Sequence, residues 1–152
     1  MKLSRTVEYA VQATLQLAQS TTGGPVPCSQ LAAKSSMPER FLLQILRNLV
    51  THGILSSTRG VVGGYMLERR PEEITLLDLI EAIEGPLVGG VPPSQALAAQ
   101  TQAKLQAAMN QVAETLRAEL RKITLAHLLP AVSAPTDPTS SPDNIPTALG
   151  EV

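Results

Sequence analysis

Arg40, Gln44 and Arg47 follow one another at intervals of four and three residues, the spacing that stacks side chains on one face of a helix. Arg59 opens a glycine-rich run, Arg59-Gly60-Val61-Val62-Gly63-Gly64, a dozen positions further on. Guanidinium forks match phosphate oxygens and the O6/N7 edge of guanine, and a glutamine amide matches adenine. At a glycine-rich turn the backbone can approach a duplex closely, and a long cation can reach into a narrow minor groove. A plainer account stands beside each of these. Most helices have a solvated polar face, and Gly60, Gly63 and Gly64 could be turn formers and nothing more. For Arg47, phosphate contact and base contact are equally open.

Covalent chemistry has no comparable set of residues. The sequence shows no nucleophile with a positioned base and no phosphate loop, and Gly63-Gly64 lacks the strand-to-helix context and lysine of a nucleotide site. His52 and His127 are far apart and lack ligand partners, so no metal role is assigned. The single cysteine, Cys28, excludes an internal disulfide. It reads as a small, partly buried side chain, since a redox role requires a lowered pKa.

The net charge of −1 argues at first against a polyanionic partner, but its distribution argues for one. Residues 1–70 carry eight Lys or Arg against three Glu, a net of +5. Residues 71–86 reverse this with Glu72, Glu73, Asp78, Glu81 and Glu84 and no basic group. Chance scatter of solvated charges is the alternative. The aromatic residues are Tyr9, Phe41 and Tyr65, too few for the stacking platforms of single-strand and RNA binders. A nucleic-acid partner would therefore be duplex DNA. No apolar run approaches the roughly 18–20 residues of a membrane helix, and the N-terminus has no apolar signal region, so a soluble, cytosolic protein is expected.

Hydrophobic periodicity predicts the elements that would position these groups. A first helix over about 4–18 presents Val7, Ala10, Val11, Thr14, Leu15 and Ala18. A short second helix near 28–34 turns Leu31 and Ala32 inward. The third opens with Ser36-Met37-Pro38-Glu39 as a capping box with Pro in the first turn. It buries Phe41, Leu42, Ile45, Leu46, Leu49 and Val50, and stops at Gly53. Its opposite face carries Arg40, Leu43, Gln44, Arg47, Asn48 and Thr51. Ile54–Thr58 and Tyr65–Glu68 read as a hairpin around the glycine run. Thr75 and Asp78 cap a fourth helix with an inward stripe of Leu76, Leu79, Ile80 and Ile83, closed by Gly85-Pro86.

After a Gly/Pro loop, residues 87–94, a long helix and closing turn span 95–129. There Leu105, Met109, Val112, Leu116, Leu120 and Ile123 make a near-heptad seam, which needs cover from the chain's own core or from a second subunit. Residues 130–152, rich in Pro, Ser, Thr and Asp, read as a disordered tail. The expected architecture is mainly α with a small β wing: a winged helix-turn-helix domain over 1–86, then a long dimerisation helix.

Residues 2–86 resemble the winged helix-turn-helix regulator family of IscR, NsrR and CymR. The resemblance rests on Lys2-Leu3-Ser4, Tyr9-Ala10-Val11, Gly24-Pro25-Val26, Phe41-Leu42 with Gln44, and Gly53-Ile54-Leu55. It continues in Arg59-Gly60-Val61-Val62-Gly63-Gly64-Tyr65, Glu73-Ile74-Thr75-Leu76 and Ala82-Ile83-Glu84-Gly85. Ile123-Thr124-Leu125 resembles the turn after the family's long helix, extending the match to about residue 129. The resemblance implies a homodimer held by crossed long helices on a near-palindromic operator; the expected function is an operator-binding transcription repressor rather than an enzyme. By position it assigns Gln44 and Arg47 to the recognition helix and Arg59 to the minor groove.

This chain departs from the family in two places. Leu43 stands where many members have glutamate; it can meet a thymine methyl but cannot accept from cytosine, so operator preference should differ. Residues 85–100 hold none of the three cysteines of cluster-binding members, and Gln106 falls near the histidine ligand position. No cofactor is therefore expected. Two further readings stay open: a winged-helix module that binds protein, and a DNA-binding regulator with a small-molecule effector between helix four and the long helix.

Overall fold

The computed structural model describes residues 2–21, 23–35, 37–93 and 96–130. The expected tail from 131 onward lies outside them. Helix α1 (Arg5–Ala18) starts at Ser4, whose hydroxyl accepts from the Val7 amide, the side-chain cap that satisfies an orphan N–H of the first turn. Helices α2 (Cys28–Ser35) and α3 (Glu39–Thr51) follow, then strands β1 (Leu55–Thr58) and β2 (Gly64–Leu67), antiparallel with Ser56 opposite Met66 and Ser57 opposite Tyr65. Val26, just before α2, adds a bridge to Tyr65 and ties α2 to the hairpin.

Helix α4 (Leu76–Glu84) opens with the expected capping box: the Asp78 amide donates to Thr75 Oγ1 and the Thr75 amide to Asp78 Oδ2. The long helix α5 (Ala99–Lys122) and a one-turn α6 (Leu125–Leu128) complete the order. A bridge between Thr75 and Thr124 staples the end of α5 to the start of α4, with the Leu76 amide donating to the Ile123 carbonyl at 2.7 Å.

Leu31, Leu42, Ile45, Leu46, Leu49, Ile54 and Leu79 are fully buried in the main core between α1, α2, α3, the hairpin and α4. Each such side chain contributes about 1.5–3 kcal/mol by leaving water. A second cluster of Val7, Leu77, Ile80 and Leu120 joins α1, α4 and α5.

Three expectations shift here. Helix α1 buries Ala13 and Leu17 in addition to Val7, Ala10 and Thr14, leaving Val11, Leu15 and Ala18 half-buried. It packs against α3 and α2 as well as α4, so more than one stripe is covered. Helix α4, between the main core and α5, buries Leu77 and Ala82, with Leu76 and Ile83 only half-buried. Helix α3 begins two residues later than a Ser36 cap implies. Pro38 holds its N-cap position without a side-chain cap, and Ser36 lies outside the described residues.

Candidate nucleic-acid interface

The buried face of α3 (Leu42, Ile45, Leu46, Leu49) orients its remaining face by elimination. Arg40, Gln44, Arg47, Asn48 and Thr51 are exposed, and Leu43 is half-buried. Phe41, expected inside, is 41% exposed and packs edge-on against Tyr9, centroids 5.8 Å apart; it marks the rim of the apolar stripe. Thr51 Oγ1 donates to the Arg47 carbonyl at 3.0 Å, and the His52 ring lies 2.8 Å from the Asn48 carbonyl. The last turn of α3 is thus held by its own side chains while the arginine heads stay free.

The hairpin brings Arg59 to the same side. A cleft of about 530 Å³ separates α3 from the wing, lined among others by Arg47, Thr51, Ser57, Thr58, Arg59 and Tyr65. Arg47 and Arg59 therefore reach one cleft, as a shared duplex ligand requires. Ser57 and Thr58 are not singled out from sequence. Their signal was the wholly polar run Ser56-Ser57-Thr58, which in a strand must put hydroxyls on both faces.

Two of the wing glycines are sterically required. A Cβ on Gly63 would run into the Thr58 carbonyl, and one on Gly64 into the Val26 carbonyl. Gly60, at φ +112°, starts the turn closed by Gly63 N–H donating to the Gly60 carbonyl at 3.0 Å.

Electrostatics separate these arginines from three others. Arg69 pairs with Asp78 and Arg70 with Glu72, both at 3.4 Å, and Arg117 pairs with Glu81. Among the described residues, Arg40, Arg47 and Arg59 form no ion pair, so their charge is available to a ligand. Burial raises the Tyr65 hydroxyl pKa, the nearby Cys28 adds to that, and Arg47 opposes it. Burial, then the Glu39 carboxylate, pushes the Cys28 thiol up, the reverse of what an activated thiolate needs.

The expected dimerisation seam divides along α5. Leu105, Met109 and Val112 are 42%, 38% and 58% exposed. Leu116 is half-buried against α4, Leu120 is buried in the second cluster, and Ile123 has left the helix with extended backbone.

The family profile of Rrf2, described as iron-dependent transcriptional regulator, matches residues 3–131. The chain belongs to the Rrf2 family. Among curated relatives it is 44% identical over 87 residues to Rv1287 of Mycobacterium tuberculosis (57% of this chain, 54% of the relative). It is 33% identical over 87 residues to the HTH-type transcriptional regulator CymR of Bacillus subtilis (57% and 63%). These matches span little more than half the length of those relatives. The solved structure of CymR, the global cysteine regulator of B. subtilis, superposes with TM-score 0.66 at 27% identity, covering 84% of this chain and 95% of that one. The T. potens IscR structure gives 0.60 at 28% identity, covering 84% and 85%. The winged-helix architecture and the family resemblance expected from sequence both hold.

Iron in the Rrf2 description raises the question of whether this chain could bind it. The loop after α4, where cluster ligands would be sought, is tied down by an amide. Gln106 Nε2 donates to the Gly89 carbonyl at 2.6 Å, and its Oε1 accepts from the Val91 amide at 3.1 Å. Thiolate sulfur holds iron–sulfur clusters, and the one cysteine of the sequence lies on α2. Among the described residues no three His, Cys, Asp or Glu gather into a metal-binding group. The donor set does not fit an iron–sulfur cluster.

Proposed function

We propose that this Rrf2 member is a sequence-specific duplex DNA-binding transcription repressor that works in the cytoplasm as a homodimer on a near-palindromic operator, without an iron–sulfur cluster. The observation that carries this reading is the single cleft lined by both Arg47 of α3 and Arg59 of the wing, neither ion-paired among the described residues. Residues 1–86 act as the DNA-binding unit. Gln44 and Leu43 read base edges, Arg40, Arg47 and Asn48 hold phosphates or bases, and Arg59, with Gly60, Gly63 and Gly64 shaping the turn, enters the minor groove. The exposed stripe Leu105, Met109 and Val112 pairs with a second copy, so that two wings and two α3 helices meet half-sites roughly 34–36 Å apart. Repression follows from occupying the operator.

Duplexes recovered from a random-sequence pool are expected to show two symmetric half-sites. On such a duplex Arg59→Ala weakens binding strongly and makes the log-affinity against log-salt slope shallower, since each phosphate contact contributes about −0.9. A pool that yields no bound duplex, or a footprint of one half-site, overturns the reading.

The α4–α5 contact, where the alternative reading sets a small-molecule effector, is packed by Leu77, Ile80, Leu116 and Leu120. The Arg117–Glu81 pair lies alongside, with both side chains also bonded to the Leu87 backbone.

A further inference from the structure

Val61 is fully exposed and Val62 is 88% exposed, the two most exposed large apolar residues described in the chain. They are the central pair of the tight turn closed by the Gly60–Gly63 hydrogen bond. Turn centres normally take Gly, Pro, Asn, Asp or Ser, each for a reason of backbone geometry or local hydrogen bonding. Valine has neither advantage, and in water its methyl groups stabilise nothing. A local rule broken at a fully exposed point, with no compensation inside the fold, marks a functional position. The base of the tip is closely packed: Gly63 and Gly64 fit against carbonyls that leave no room for a Cβ. β-Branched side chains lose little rotamer freedom when covered. Exposed, unpaired Arg59 immediately precedes Gly60 and the valine pair, so a cation and two apolar wedges leave the wing together.

We propose that Val61 and Val62 are specificity-determining residues that press into the minor groove beside Arg59 and favour A·T pairs beneath the wing. Charge complementarity selects the occupant, because the flanking Arg59 matches an anionic duplex. The minor groove distinguishes G·C from A·T by one group, the guanine N2 amine. A valine methyl seated against that amine blocks its hydration without accepting its hydrogen bond, and an unsatisfied donor is destabilising. Against an A·T floor the same methyl groups gain burial. This rests on the DNA-binding reading above and adds the residues that discriminate within it.

The test uses a duplex recovered from the random pool, with the pairs under the wing located by hydroxyl-radical footprinting. Those pairs are then set in turn to A·T, G·C and inosine·C, the last having a G·C-like major-groove edge without the N2 amine. Wild type is expected to bind the A·T and inosine·C duplexes alike and G·C about fivefold more weakly. The V61A/V62A double variant should bind the A·T duplex about tenfold more weakly, by loss of buried methyl groups, and lose most of the discrimination against G·C, the remainder belonging to Arg59 in the same groove. Its salt slope should stay at the wild-type value, because apolar contacts release no counterions, whereas R59A makes the slope shallower. The inference is overturned if V61A/V62A binds within twofold of wild type, if its loss comes with an R59A-like slope, or if wild type treats inosine·C like G·C. Valine-dependent retention on phosphatidylserine vesicles with unchanged duplex affinity would also overturn it, assigning the tip to a lipid surface. A wild-type protein that retains no duplex fails earlier, at the DNA-binding reading itself, and takes this inference with it.

Discussion

The two halves of α5 carry one hydrophobic repeat and meet opposite fates. Toward the C-terminus, Leu116 and Leu120 close against Val7, Leu77 and Ile80 of the same chain. Toward the N-terminus, Leu105, Met109 and Val112 keep roughly two-fifths or more of their surface in water. The difference comes from what lies across from each half. Helix α4 is only nine residues long, and α5 has twenty-four, so the shorter helix cannot cover the longer. Beyond it, α5 is met by the loop, held by Gln106 and by Gln102 Nε2 donating to the Pro92 carbonyl at 3.0 Å. A uniform pattern thus serves two purposes, intrachain core and an open apolar face.

The largest expected effect on the fold is at the closed half. Leu120→Ala removes a side chain from the second cluster and should cost about 2–4 kcal/mol in urea unfolding; a loss below about 1 kcal/mol would mean that the half is not core. Next is the loop that packs on the open half. Gly89 backs onto the Met109 carbonyl, where a Cβ has no room, so Gly89→Ala must lift the loop from α5. The expected cost is about 1–3 kcal/mol, with faster amide exchange at Val91. Smaller still is Glu81→Gln, which weakens the partly exposed pair with Arg117 by about 1 kcal/mol; urea midpoints of the variant and of Arg117→Met would size it. The smallest effect on the fold belongs to the open half. M109D/V112D should leave the far-UV helical signal intact while sedimentation shifts from dimer to monomer. A dimer that survives both charges would place the interface elsewhere.

Much of the candidate interface is legible in the order of residues. The i, i+3, i+4 pattern of Leu42, Ile45, Leu46 and Leu49 orients α3 and with it Arg40, Gln44 and Arg47. The glycine run around Arg59 announces the wing. The closing edge of the cleft is not legible in this way. Ser57 and Thr58 carry no periodic signature strong enough to choose a face, and Tyr65 is placed by its bridge to Val26, nearly forty residues away in sequence. Leu43 looks as free as Gln44 on a helical projection, yet it is half-buried, because the edge of a helical stripe depends on the width of the partner surface.

Local order is written in the chain itself: the number and type of elements, the Thr75–Asp78 cap, the turn at Gly60–Gly63, and a basic segment followed by an acidic one. These depend on propensities and spacings that act within a few residues. Tertiary structure alone decided which apolar stripe is covered and by what, that Arg117 is spent on Glu81, that Arg47 and Arg59 share one cleft, and that Gln106 binds the loop. Those outcomes depend on surfaces brought together across dozens of residues, and periodicity shows that a stripe exists without showing what lies opposite it.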